Sequence, residues 1–137
     1  MEKPKKASFS LKKFKVPNFS YNESKGNPEL NLSIDVKGDY FKENGKYKLY
    51  LEFKGSNSVD QSLIIEVNAV GIFKFSETIA AKDIPEYFYA NAIAIIFPYV
   101  RSFISTLTLQ ANTGLIMLDT LNLSNLKEAL RQNTKIV

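Results

Sequence analysis

Cysteine and histidine are both absent from the 137 residues. That excludes disulfides, thiol nucleophiles, zinc sites of the usual kind, Ser-His triads and imidazole acid–base chemistry. It leaves the redox compartment open, because a cysteine-free chain folds in any of them. Glycine is sparse too, and the six glycines form no G-x-G-x-x-G or P-loop pattern that could cradle a phosphate. Positions 1–15 lack the apolar core of a secretory signal. The strongly apolar stretch from Ala90 to Leu109 contains Asn91, Pro98 and Arg101. A charge near the middle of a lipid-embedded span costs about 2.5–3.5 kcal/mol. The stretch is therefore expected to be a buried or interface helix with no membrane insertion, and the expected location is cytoplasmic.

What is present is an ordinary globular composition: 45% hydrophobic, 23% charged, net charge +4. The length suits one domain. The positive excess sits at the start, where Lys3, Lys5, Lys6, Lys12, Lys13 and Lys15 face only Glu2, and the remainder is close to neutral. Residues 1–13 are read as a basic arm and residues 14–137 as a single domain. A nucleic-acid binder usually carries its excess on a folded face, so a solvated tail is the preferred reading of the arm.

Hydrophobic periodicity changes along the chain. An early strand is expected over 16–21, with Pro17 marking an edge or a bulge. The stretch 22–28 reads as a loop. Leu30, Leu32, Ile34 and Val36 alternate with Asn31, Ser33, Asp35 and Lys37, the period-two signature of a strand with one apolar face. Asn44-Gly45 is a hairpin turn signal. Tyr47, Leu49, Leu51 and Phe53 repeat the alternation. Residues 62–75 form a longer strand with apolar residues on both faces, and Gly71 is read as a bulge. Four successive antiparallel strands are expected from turns this short. Asp83 is then expected to cap a short helix with Pro85 and Glu86 in its first turn. Ile93, Phe97, Val100, Ile104 and Leu107 form one helical stripe, with Asn112 and Gly114 ending it. Pro98 fits either a first turn or a kink in a longer helix. An apolar linker over 115–121 precedes a last short helix capped by Asn122. The fold class is α+β: a four-stranded antiparallel sheet with a long helix and a short C-terminal helix on one face.

No catalytic constellation stands out. The carboxylates sit in turns and on solvent faces of strands, Asp119 reads as a turn or cap acid, and Arg101 as a snorkelling or paired residue. An enzyme is not expected, nor a metal site or a cofactor. What stands out is apolar surface: seven Tyr and ten Phe, with an apolar linker beyond what one core layer requires. It fits either a strand-like loop lying over a well-filled core, or grooves left for a partner chain.

Two motifs carry a resemblance. Glu66-Val-Asn-Ala-Val-Gly-Ile-Phe73, followed by Ile95-Ile-Phe-Pro-Tyr-Val-Arg101, resembles the SecB export-chaperone family, whose pattern is an E-V-x-x-x-G-I-F strand and a helix beginning L-F-P-Y-A-R. Asn27-Pro-Glu-Leu-Asn-Leu-Ser-Ile34 is similar to its early strand, and residues 104–126 to its helix, connecting loop and final helix. The resemblance spans about residues 14–130. It implies a homotetramer, a dimer of dimers, that holds unfolded polypeptides or preproteins in apolar grooves without ATP or cofactor. Leu30, Leu32 and Ile34 match groove positions. Leu115, Met117 and Leu118 of the connecting loop, with Leu123 and Leu126, match its other wall. Ile65, Val67 and Ala69 match positions that influence subunit association, and Ser102 and Ser105 are small enough for a second helix to approach.

In the family, acids on the outer sheet face dock the SecA motor. Glu66, with Ile64 beside it, keeps one such position. Asn18 and Asn22 stand where acids are frequent, and residues 131–137 carry no acidic tail. The expected function is a holdase in protein export that hands preproteins to SecA. The rivals are a chaperone dedicated to one client such as an antitoxin, a structural or adaptor module on the same fold, and nucleic-acid or membrane binding through the arm.

Overall fold

Alternating hydrophobicity builds four long strands: β1 (Phe9–Tyr21), β2 (Leu30–Phe41), β3 (Lys46–Asn57) and β4 (Leu63–Phe75). The computed structural model describes residues 8–24, 26, 29–119 and 121–137. Lys3, Lys5 and Lys6 of the arm, and the loop residues Asn27 and Pro28, lie outside the described residues. β1 begins at Phe9, well before the expected Val16, so Lys12 and Lys13 belong to the sheet. Phe9 drives this: its ring packs edge-on against Phe73 and Phe88 and anchors the strand end in the core.

Tight turns account for two hairpins. Gly45 takes φ +72 after Asn44, whose side chain accepts the Lys46 amide at 3.0 Å, and β2 pairs antiparallel with β3. Asn57 accepts the Val59 amide at 2.8 Å and turns β3 into β4. The first strand departs from a simple succession. β1 pairs with β4, so the order is β1-β4-β3-β2-β5. The loop over 22–29 is too long to impose a hairpin, and the apolar face of β1 is satisfied beside β4. Pro17 lies in a register shift between Lys15 and Asn18, as an edge-strand proline should.

Two expectations are corrected here. The sheet has a fifth strand, β5 (Thr134–Ile136), parallel to β2 and fastened by the Tyr47 hydroxyl, which lies 2.6 Å from the Thr134 hydroxyl. Gly71 is not a bulge, since its pairing with Leu49 runs without interruption. Its lack of a side chain serves packing: a Cβ there would lie 2.8 Å from Ile96 Cγ2. The irregularity sits across from it on β1, between Leu11 and Lys13.

One face of the sheet carries the helices. α1 (Glu86–Ala111) follows a 3-10 turn at Ala81–Asp83, so Asp83 ends that turn instead of capping α1, and Pro85 holds the cap position. Pro98 lies inside α1, which continues through it. Asn112, at φ +58, ends the helix in the left-handed conformation. Ile93, Ile96, Phe97, Val100 and Ile104 are buried against the sheet. α1 is long and apolar enough to span a membrane by length and composition, but this stripe is packed inside the fold. α2 (Leu126–Gln132) starts later than expected. Asn122 caps only the preceding turn, accepting the Ser124 amide at 3.1 Å. Leu130 of α2 is fully buried.

The core is an aromatic cluster around Phe88, whose ring centroid lies 4.7–5.8 Å from those of Phe9, Tyr47, Phe73, Phe75 and Tyr89. All but the tilted Phe75 pair are edge-to-face, and such pairs add about 0.5–1.5 kcal/mol each beyond the area they bury.

Candidate functional site

On the helix-bearing face, the burial of β2 is graded. Val36 and Tyr40 are buried, Ile34 and Leu30 half-buried, and Leu32 is 38% exposed. The gradient follows from what lies above. The short α2 packs on β2, and the N-terminal half of the strand runs beyond the deepest core. Opposite Leu32 stands Gly55, whose bare Cα leaves room. A Cβ there would lie 3.6 Å from Leu30 and 3.7 Å from Leu32. Leu30, Leu32 and Ile34 therefore form one apolar strip, open along part of its length.

Between α1 and α2, residues 112–119 and 121–125 form an irregular strap with three anchors. The Tyr21 hydroxyl lies 2.7 Å from the Thr113 hydroxyl. The Ile116 amide donates to the buried Thr108 hydroxyl at 2.9 Å. Arg101 donates from Nη2 to the Asp119 carbonyl at 3.2 Å, while its guanidinium lies over the Phe97 ring. With the backbone so held, the side chains alternate. Ile116 and Leu118 pack against the core, and Leu115 and Met117 point outward, 50% and 74% exposed. Leu123 and Leu126 are half-buried against the same core.

The groove residues read from the sequence thus lie on the rim of one core, and Leu32, Leu115 and Met117 leave apolar surface in solvent. The others sit elsewhere. Ile65, Val67 and Ala69 are buried on the helix-bearing face of β4, inside the subunit. Ser105 is half-buried and returns its hydroxyl to the Arg101 carbonyl at 3.1 Å, while Ser102 is exposed on α1. Ile64 is 3% exposed and offers a partner almost no side chain, whereas Glu66 is half-buried on the outer face of the sheet opposite Lys54. Asp119 acts through its backbone. Sequence reasoning missed the strap anchors Tyr21, Thr108 and Thr113. Only the buried position of a hydroxyl on α1 could have signalled one of them. Among the described residues no cluster of acids could hold a metal.

The family model for SecB, the preprotein translocase subunit, matches residues 6–134. The chain belongs to the SecB family, a chaperone fold and not a class of enzymes. An uncharacterised protein of Methanocaldococcus jannaschii, MJ0357, is 28% identical, covering 98% of this chain and 95% of that one. Among solved structures, the fold is similar to the Rv1957 SecB-like chaperone of Mycobacterium tuberculosis in complex with a ChAD peptide from the HigA1 antitoxin. That likeness has a TM-score of 0.63 at 10% identity, over 84% of this chain and 88% of that one. A Streptococcus agalactiae protein of unknown function is similar at TM-score 0.51 and 10% identity, over 82% and 97%.

Proposed function

We propose that this SecB-family chain is an ATP-independent holdase that binds extended, unfolded polypeptide along the strip of Leu30, Leu32 and Ile34 and the outward side chains of the strap. The observation that carries the reading is the apolar surface of Leu32, Leu115 and Met117 on the rim of a core already well filled. An extended client laid there gains about 25 cal/mol per Å² of apolar area buried, with no demand on its sequence. Its backbone remains partly solvated, which suits many weak contacts over a long path.

Two kinds of client fit. The family's description as a translocase subunit supports exported preproteins passed on to SecA. The antitoxin peptide in the mycobacterial structure supports a dedicated client. The holdase is further proposed to work as a homotetramer. Tyr87, Ile95 and Tyr99 leave an exposed apolar stripe on α1, and Ser102 continues it with a small side chain. A monomer in light scattering at micromolar concentration would overturn that assembly.

The client site is tested by the triple variant Leu30→Ala, Leu32→Ala and Ile34→Ala. These side chains are only partly buried, so the variant is expected to keep its circular dichroism and its oligomeric state while losing affinity for a denatured client. Normal client binding by the folded variant would remove β2 from the site. Unfolding at room temperature would return these residues to the core.

A further inference from the structure

The outer face of the sheet, opposite the helices, is segregated by charge. Strand register sets this out row by row. Lys46 lies beside Lys74, and in the next row Lys13, Ile72, Lys48, Asp39 and Lys135 lie side by side. The row after that runs Lys15, Val70, Tyr50 and Lys37. Beyond it the sign reverses, with Asn18, Asn68, Glu52 and Asp35, and then Ser20, Glu66 and Lys54. Same-face rows are about 6.6–6.8 Å apart. A charge one row away is thus within one screening length at physiological salt, about 8 Å, and the lysine rows act together.

At the junction of the two regions sits Tyr50. The ammonium groups of Lys37 and Lys48 each lie 5.3 Å from its ring centroid, and its hydroxyl donates to Asp39 at 3.2 Å. A shallow concavity of about 920 Å³ opens there, lined around Tyr50 by Lys37 and Lys135 on the lysine side and by Asp35 and Glu52 on the acidic side, with Asp39 among the lysines.

We propose that this face docks an acidic segment of a protein partner, its carboxylates on the rows of Lys13, Lys15, Lys37 and Lys48 and its apolar side chains over the half-buried Tyr50 and Ile72. Charge complementarity favours a polypeptide over a nucleic acid. Every cation on the face is a lysine, and both arginines of the chain lie on the helices. The one aromatic ring at the junction has a cation over it, so it is not an open platform for a base. A phosphate backbone running down the strands would pass from the lysines onto Asp35, Glu52 and Glu66. A peptide can change its charge within a few residues. The proposal stands apart from the client strip, which lies on the opposite face.

The test is fluorescence anisotropy with three labelled probes on the full-length protein: a short peptide of glutamates interspersed with leucines, its lysine-for-glutamate counterpart, and a single-stranded DNA oligonucleotide of similar length. Salt-sensitive binding of the glutamate peptide is expected, with the lysine peptide bound at least ten-fold more weakly. The double variant Lys37→Glu and Lys48→Glu should weaken the glutamate peptide by roughly ten-fold, whereas Lys54→Glu should change it less than two-fold. Both variants should suppress aggregation of a denatured client as the parent does, because neither touches the client strip. Equal binding of both peptides, an unchanged affinity in the double variant, or tighter binding of the DNA would each overturn the proposal.

Discussion

Gly38 on β2 faces the phenol of Tyr47 on β3 so closely that a Cβ at Gly38 would overlap the Tyr47 hydroxyl. Tyr47 is fully buried and bonded to Thr134, so its ring has nowhere to retreat. The glycine thus lets one tyrosine tie three strands together: β3, β2 and β5.

Substituting Gly38→Ala should destabilise the fold by about 1–3 kcal/mol through overpacking. At about 4 °C per kcal/mol for a chain of this size, the melting temperature should fall measurably. Adding Tyr47→Phe removes the overlapping oxygen and should recover part of the loss. A double-mutant cycle by thermal melting checks this. Strict additivity of the two changes would show that they do not meet.

The alkaline limb of stability should depend on Tyr47. Burial pushes its phenol well above the ordinary range, outweighing the opposite pull of its bond with Thr134. A group whose folded-state pKa is raised stabilises fully below its unfolded pKa, about 10 for tyrosine. That contribution then falls progressively as the pH rises above 10. Urea midpoints of the parent should decline in that range more steeply than those of Tyr47→Phe, which has no proton to lose.

Phe88 should be the costliest truncation in the chain. Five aromatic rings surround it, so Phe88→Ala should lose about 3–5 kcal/mol and leave a cavity on the β3–β4 side of α1. Denaturant titration measures this. A loss below about 1 kcal/mol would mean that the cluster can collapse around the gap.

The strap should loosen when its anchors are cut. Arg101→Leu removes the donor to the Asp119 carbonyl and should cost about 0.5–1.5 kcal/mol. Amide exchange over 115–119 should accelerate while that of β3 and β4 stays slow. Thr108→Val should cost more, about 1–3 kcal/mol, because it strands the Ile116 amide. Uniform acceleration across the chain would show that the strap unfolds only with the whole domain.

Local pattern alone determined a large share of this protein. The alternation of Leu30, Leu32, Ile34 and Val36, and that of Tyr47 to Phe53, can be satisfied only by a sheet with one face covered. The stripe from Ile93 to Ile104 requires the covering helix. Asn44-Gly45 and Asn112 are short-range signals that act within their own turns, so these boundaries were legible. The family likeness carried by Glu66 to Phe73 and Ile95 to Arg101 was legible for the same reason, since those residues are contiguous.

Tertiary structure decided the rest, because it joins residues far apart in the chain. β1 went to β4, and not to its sequence neighbour, because the long loop left it free and Phe9 found the aromatic cluster. Residues 134–136, too short to announce a strand, became one by pairing with Gly38 to Tyr40 of β2, with Thr134 also tied to Tyr47. Gly71 resembled a bulge in sequence and proved to be the seat of Ile96. The groove candidates were nameable from the chain, but their exposure was not. Whether Leu32 is core or rim depends on Gly55 opposite it and on what α2 leaves uncovered. The segregation of lysines from acids on the outer face is likewise not evident from the central strands β2 and β3, where the signs mix, and emerges when register lines up the rows.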